Sequence, residues 1–267
     1  MLKQRILTAL VIAALLLVVL FLLPPVAALS VITLVILLGA WEWSGLFKPD
    51  SGVPRWLLPV LLALLMAWWW RSPPDADMAR AVLAGSALWW LFALLWIVLA
   101  PGRGHPVLTA LACLLSLAPL WVAVAALRGA DRHGAWILLS ALATIVAADT
   151  GAYFAGRAFG RVKLAPQVSP AKTWEGVIGG LSASAAVAWA AAAWFSWSVQ
   201  QMLPLALTAA GLSVVGDLLE SKMKRQAGVK DSGHLFPGHG GVLDRIDSLA
   251  AGLPVLALGF AWFGWLA

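Results

Sequence analysis

Charge is scarce in this chain: Asp, Glu, Lys and Arg make up 11% of its 267 residues, against about 25% in soluble proteins. With 62% of positions hydrophobic, a water-soluble globule is excluded. Cysteine is nearly missing as well. Cys113 stands alone inside an apolar run, so no disulfide scaffold can form. There is no GxxxxGK[ST] loop, which rules out the P-loop manner of holding a nucleotide. Nor is any polar stretch long enough to fold independently, and residues 1–267 are expected to form one membrane domain.

What the chain does have is hydrophobic runs. A bilayer core of about 30 Å takes about 20 helical residues to cross. Nine runs qualify as candidates: Ile6–Leu23, Val26–Phe47, Trp56–Trp70, Ala79–Ala100, Val107–Leu127, Trp136–Tyr153, Glu175–Trp197, Leu203–Leu219 and Ile246–Trp265. The expected fold is therefore all-α, a polytopic membrane protein with about nine transmembrane helices. The first run follows Lys3 and Arg5 as a signal peptide would, but the second span comes at once, which favours a retained hairpin. With the N-terminus cytoplasmic, fourteen of the 18 basic residues fall inside and only Arg71, Arg80, Arg128 and Arg132 outside. That bias satisfies the positive-inside rule, so the net charge of +6 belongs to topology and implies no nucleic-acid partner. Trp68, Trp69, Trp70, Trp194, Trp197 and Trp265 are expected at the outer interface, and Trp41, Trp43 and Trp56 at the inner one, as anchors.

Polarity is unevenly distributed. Residues 1–134 hold little within the membrane beyond Glu42 and are expected to be scaffold; residues 135–267 carry the ionisable groups. A carboxylate at membrane depth costs about 2.5–3.5 kcal/mol on insertion scales, so Asp149 and Asp217 require partners, cations or water. Gly156 and Gly160 have the spacing of a close helix crossing. In Ser169-Pro-Ala-Lys-Thr-Trp-Glu-Gly176 the serine is expected to cap a helix with Pro170 in its first turn. Lys172 then lies beside a helix N-terminus, where a cation is disfavoured unless an anion is shared.

The densest polarity runs from Gly216 to Asp247. Asp217, Glu220, Ser221 and Lys224 fall at i, i+3, i+4 and i+7 on one helical face, and Asp244 and Asp247 form a second i, i+3 pair. Between them lie Lys230, Asp231, His234, His239 and glycines 233, 238, 240 and 241, which let backbone N–H groups approach a phosphate. Carboxylates on two helix ends around a basic, glycine-rich loop suit a magnesium-bound polyphosphate: hard oxygens for the metal, cations for the phosphates. The two histidines have no cysteine beside them and do not read as zinc ligands.

The run Ser221-Lys-Met-Lys-Arg-Gln-Ala-Gly-Val-Lys-Asp-Ser-Gly-His-Leu-Phe-Pro-Gly-His-Gly-Gly-Val-Leu-Asp-Arg-Ile-Asp247 closely resembles the signature of the phosphatidate cytidylyltransferases, and residues 149–160 and 169–176 look like the same family. The motif-bearing resemblance covers about the C-terminal half. It departs at Ala171, where Lys or Gly is expected in many relatives. The resemblance implies a bacterial inner-membrane enzyme, with its site on the cytoplasmic side, that joins CTP to phosphatidate from the inner leaflet. It also implies magnesium as cofactor, with a second cation left open, and a homodimer. Asp217 and Asp244 match the aspartates associated with that family's metal centre, and Glu220 and Asp247 are added to the expected ligand set. Lys224, Arg225, Lys230, Asp231, His239 and Arg245 are expected to serve the reaction. Asp149, Ser169, Lys172, Thr173, Ser221, His234, Gly240 and Gly241 are expected to bind substrate. Two rivals share the polytopic design: a CTP-dependent lipid kinase of the dolichol or phytol type, and a secondary transporter using Asp149 and Asp217 as ion sites.

Overall fold

The computed structural model describes residues 2–47, 52–102, 104–130, 133–233, 235 and 240–266, with the backbone alone for 2–7. Among them are nine α-helices: α1 (Leu2–Phe21), α2 (Pro25–Ser44), α3 (Leu57–Arg71), α4 (Ala76–Leu99), α5 (Pro106–Gly129), α6 (Gly134–Phe159), α7 (Trp174–Phe195), α8 (Val199–Gln226) and α9 (Leu243–Trp262). Each expected span meets one helix, in order. Seven are long and apolar enough to cross a membrane; α3 and the Thr8–Phe21 part of α1 are shorter apolar helices.

Contacts between helix ends show how they alternate. Phe21, ending α1, packs its ring tilted at 4.6 Å from Trp136 at the start of α6, and Arg128 near the end of α5 donates to the Leu20 carbonyl at 3.4 Å. Trp136 also meets Trp194 at the end of α7 at 6.2 Å. On the opposite face the C-terminal ends of α2 and α8 meet the start of α9 through Glu42 and Lys224, and Lys222 joins the end of α8 to that of α4. Successive helices thus reverse direction, as short connections demand.

At the centre is α9, packed against α2, α4, α5, α6 and α8. Local chemistry fixes several helix starts. Pro25 occupies the first turn of α2, where a missing N–H costs no helical bond, and Asp75 caps α4 by accepting from Met78 N at 2.7 Å. Between α6 and α7 the small residues are packing devices: a Cβ on Gly151 would lie 2.7 Å from Ala183 Cβ, and one on Gly156 3.5 Å from Gly176 Cα.

The expected all-α fold is borne out, and two local expectations are corrected. A short antiparallel hairpin, β1 (Lys163–Ala165) and β2 (Ser169–Thr173), joins α6 to α7, with Ala165 opposite Ser169 and Lys163 opposite Thr173. Ser169 therefore caps no helix. Pairing with β1 holds Ser169-Pro170 extended, and the cap of α7 is Thr173, four residues after Ser169: Thr173 Oγ1 accepts from Gly176 N at 3.2 Å. The tryptophans are also not all anchors. Trp43 and Trp69 are buried, the former donating to the Thr109 carbonyl at 3.1 Å, and Trp197 stacks on Trp265 at 4.5 Å. Their indoles join helices to each other, which hydropathy alone does not reveal.

Candidate active site

Glycine sets the spacing on which the site depends. At Gly216, α8 approaches α9 so closely that a Cβ would strike the Asp247 carbonyl and stand 3.1 Å from Ala251 Cβ. The neighbouring Asp217 is thereby brought beside Asp247. With Glu220, one helical turn along α8, these residues each offer a carboxylate oxygen, all within 4.8 Å of one another. Glu220 Oε1 is buried and has no hydrogen-bond partner among the described residues. An orphaned buried carboxylate oxygen on a member of such a group of hard donors fits a divalent cation.

Two lysines border this group. Lys172, from β2, places Nζ 2.7 Å from Asp217 Oδ2 and 3.4 Å from the Val214 carbonyl. Asp217 is thus the anion that offsets a cation next to the start of α7. Lys224 Nζ lies 2.6 Å from Glu220 Oε2 and 2.5 Å from Asp244 Oδ1, joining α8 to α9. Asp244 Oδ2 accepts from Gly241 N at 2.7 Å and Ser232 N at 3.1 Å. Asp217 and Asp244 therefore belong to two adjacent groups, linked through Glu220 and Lys224.

Asp149 is directed across to α9, where its Oδ1 accepts from Ser248 Oγ at 3.2 Å; Asp247 Oδ1 accepts from the Ser248 N–H at 2.7 Å. Counting Asp149, Asp217, Glu220, Asp244 and Asp247 against Lys172 and Lys224, carboxylates outnumber the ammonium groups that contact them. Such an excess inside a bundle calls for further positive charge.

The remaining expected residues divide. Ser221 Oγ donates to Asp217 Oδ1 at 3.3 Å and lies within the site. Thr173 is buried and engaged as the α7 cap, while Ser169 sits half-buried in the hairpin. Arg225, Lys230, Asp231 and Arg245 are exposed around the group, with Arg225 reaching the Val229 carbonyl at 3.5 Å. Gly240 adopts φ +78°, a left-handed conformation that favours glycine, directly before Gly241, whose N–H serves Asp244. His234 and His239 lie outside the described residues.

The description of the cytidylyltransferase family fits residues 3–263, from α1 into the residues after α9. The chain belongs to the cytidylyltransferase family. It is 42% identical to the phosphatidate cytidylyltransferase of Pseudomonas aeruginosa, over 99% of this chain and 99% of that protein. With the phosphatidate cytidylyltransferase of Haemophilus influenzae it shares 37% identity, over 95% of this chain and 96% of the relative. Similarity therefore extends well beyond the C-terminal motifs, through the helices expected to be scaffold.

Two residues of this cytidylyltransferase have roles that sequence reasoning missed. Lys222 is fully buried and turned away from Lys224: its Nζ donates to the carbonyls of Ala100 and, at 3.0 Å, Pro101, and it lies 4.8 Å from the Trp96 ring centroid. It satisfies carbonyls at the C-terminal end of α4, where a cation also suits the helix dipole. Glu42 is likewise buried, and its Oε2 accepts from Leu243 N at 2.8 Å and stands 3.0 Å from Ser232 Oγ. The available signal was a lone ionisable residue in an apolar helix, which is a functional candidate by default.

Proposed function

We propose that this cytidylyltransferase joins CTP to phosphatidate at the inner leaflet of a bacterial cytoplasmic membrane, giving CDP-diacylglycerol and pyrophosphate. The reading is carried by one combination: near-full-length similarity to phosphatidate cytidylyltransferases, together with Asp217, Glu220 and Asp247 gathered within 4.8 Å between two lysines. A phosphatidate phosphate oxygen attacks the α-phosphorus of CTP as the bond from that phosphorus to the bridging oxygen breaks. The electron pair leaves with pyrophosphate. The attacking oxygen is already anionic near neutral pH, so no general base is required, and the work lies in positioning and charge neutralisation.

Asp217, Glu220 and Asp247 would hold magnesium, which when bound offsets the charge of the triphosphate oxygens. Lys172 pairs with Asp217 and Lys224 bridges Glu220 and Asp244, and both would present their ammonium groups to a polyphosphate. Exposed Arg225, Lys230 and Arg245 surround the approach and raise the local concentration of an anionic nucleotide.

The test is purified protein in detergent with phosphatidate, magnesium and each nucleoside triphosphate in turn. Labelled CTP should yield CDP-diacylglycerol and pyrophosphate, and the other nucleotides little. Release of CDP with phosphorylated lipid would establish a kinase instead.

A further inference from the structure

We infer that Glu42 is a positioning residue for CTP: its single carboxylate ties together the two described ends of the glycine-rich segment between α8 and α9. The inference rests on the cytidylyl-transfer reading above. On one side Glu42 Oε2 is within hydrogen-bond distance of Ser232 Oγ; on the other it accepts from Leu243 N. Side chains are excluded from the space around it, since a Cβ on either Gly233 or Gly241 would collide with the Glu42 carboxylate. Those two glycines are needed because the acid fills the place their side chains would occupy.

The carboxylate is a fixed point. Trp43, the next residue, is bonded to the Thr109 carbonyl of α5, and one turn earlier a Cβ on Gly39 would lie 2.7 Å from Ile246 Cδ1 of α9. Helix α2 is therefore braced on both sides of Glu42. Ser232 carries the link onward, because its Oγ also lies 2.8 Å from Asp244 Oδ2, and one hydroxyl proton can serve only one of the two acids at a time. Gly241, packed on Glu42, gives its N–H to that same Asp244 oxygen. Removing the Glu42 carboxylate releases Ser232, Gly241 and the start of α9 together. The Lys224–Asp244 pair, whose aspartate Ser232 and Gly241 hold, then loses the alignment a triphosphate needs.

The experiment compares Glu42→Ala, Glu42→Gln and Ser232→Ala with wild type, measuring kcat and KM for CTP and phosphatidate separately, with thermal unfolding alongside. Glu42→Ala should raise the KM for CTP about tenfold or more and leave that for phosphatidate within about twofold. Glu42→Gln, which keeps an acceptor oxygen, should recover most of the loss. An unchanged KM for CTP, or an equal loss for both substrates that tracks reduced thermal stability, overturns the inference. Should Glu42→Ala not fold, Ser232→Ala decides: a selective rise in the KM for CTP supports the inference and a wild-type value overturns it. Should wild type fail to make CDP-diacylglycerol, the proposed reaction fails by itself, and equilibrium binding of CTP to wild type and Glu42→Gln, compared with Ser232→Ala, still tests the positioning role.

Discussion

Replacing Gly216 by alanine should damage catalysis without removing a single functional group. Its new Cβ would stand 3.1 Å from Ala251 Cβ and overlap the Asp247 carbonyl, whereas carbon atoms rest about 3.5–4.0 Å apart. Backbone cannot swing aside as a flexible side chain can, so α8 and α9 must separate by at least the roughly 0.4–0.9 Å that the Ala251 contact requires. That movement falls on Asp217 and Asp247, which approach from opposite sides of this contact and share a cluster only 4.8 Å across. Misplacement approaching 1 Å costs up to about a hundredfold in rate, so kcat should fall about ten- to a hundredfold and the magnesium requirement should rise. Gly211 supplies the control. It lies on the same helix with nothing within 4 Å of its added Cβ, so Gly211→Ala should leave kcat alone and stabilise by up to about 1 kcal/mol. The assay is CTP turnover against magnesium for both variants, with thermal unfolding in detergent. A folded Gly216→Ala protein with wild-type kcat and magnesium dependence would refute the claim that this crossing sets the carboxylate geometry.

Asp247→Asn and Glu220→Gln should each lower kcat by orders of magnitude and shift the magnesium titration to higher concentration; an unchanged titration removes them from the metal group. The lysines of α8 should separate cleanly: Lys222→Met should cost about 2–4 kcal/mol of stability, through lost bonds to Ala100 and Pro101 and contact with Trp96, with kcat of the folded fraction near wild type. Lys224→Gln should instead lower turnover about ten- to a hundredfold, and equal effects at the two positions would contradict the structure. Thr173→Ala, which strips the cap from α7, should cost about 1 kcal/mol in unfolding measurements, whereas Ser169→Ala should be close to neutral.

The helices were legible because crossing a bilayer imposes a length and an apolar composition that any sequence must display. The carboxylates of α8 and α9 were legible for a similar reason, since charge is costly there and stands out. Partnership was not. Glu42 and Ser232 are 190 positions apart, and no periodicity connects them; their contact arises only once α2 and α9 pack. The hairpin was hidden because Ser-Pro suits a helix start as well as an extended strand, and pairing with residues 163–165 decides between them. Of the four expected metal ligands, Asp217, Glu220 and Asp247 gather within 4.8 Å, while Asp244, a turn nearer the start of α9, is joined to them through Lys224, an arrangement spacing alone does not reveal.

The central position of α9 has a consequence for biosynthesis. The helix at the middle of the bundle leaves the ribosome after the five helices it packs against. A nascent protein with α1 to α8 already in the bilayer lacks Asp247, lacks the Leu243 N–H that Glu42 accepts from, and holds an open core. If Asp247 belongs to the metal group as proposed, a partly made chain has no complete carboxylate cluster, and turnover is expected only once α9 is inserted. Until then Lys224 has Glu220 but not Asp244, and Glu42 lacks the Leu243 N–H, so charge stays incompletely paired in an otherwise apolar bundle.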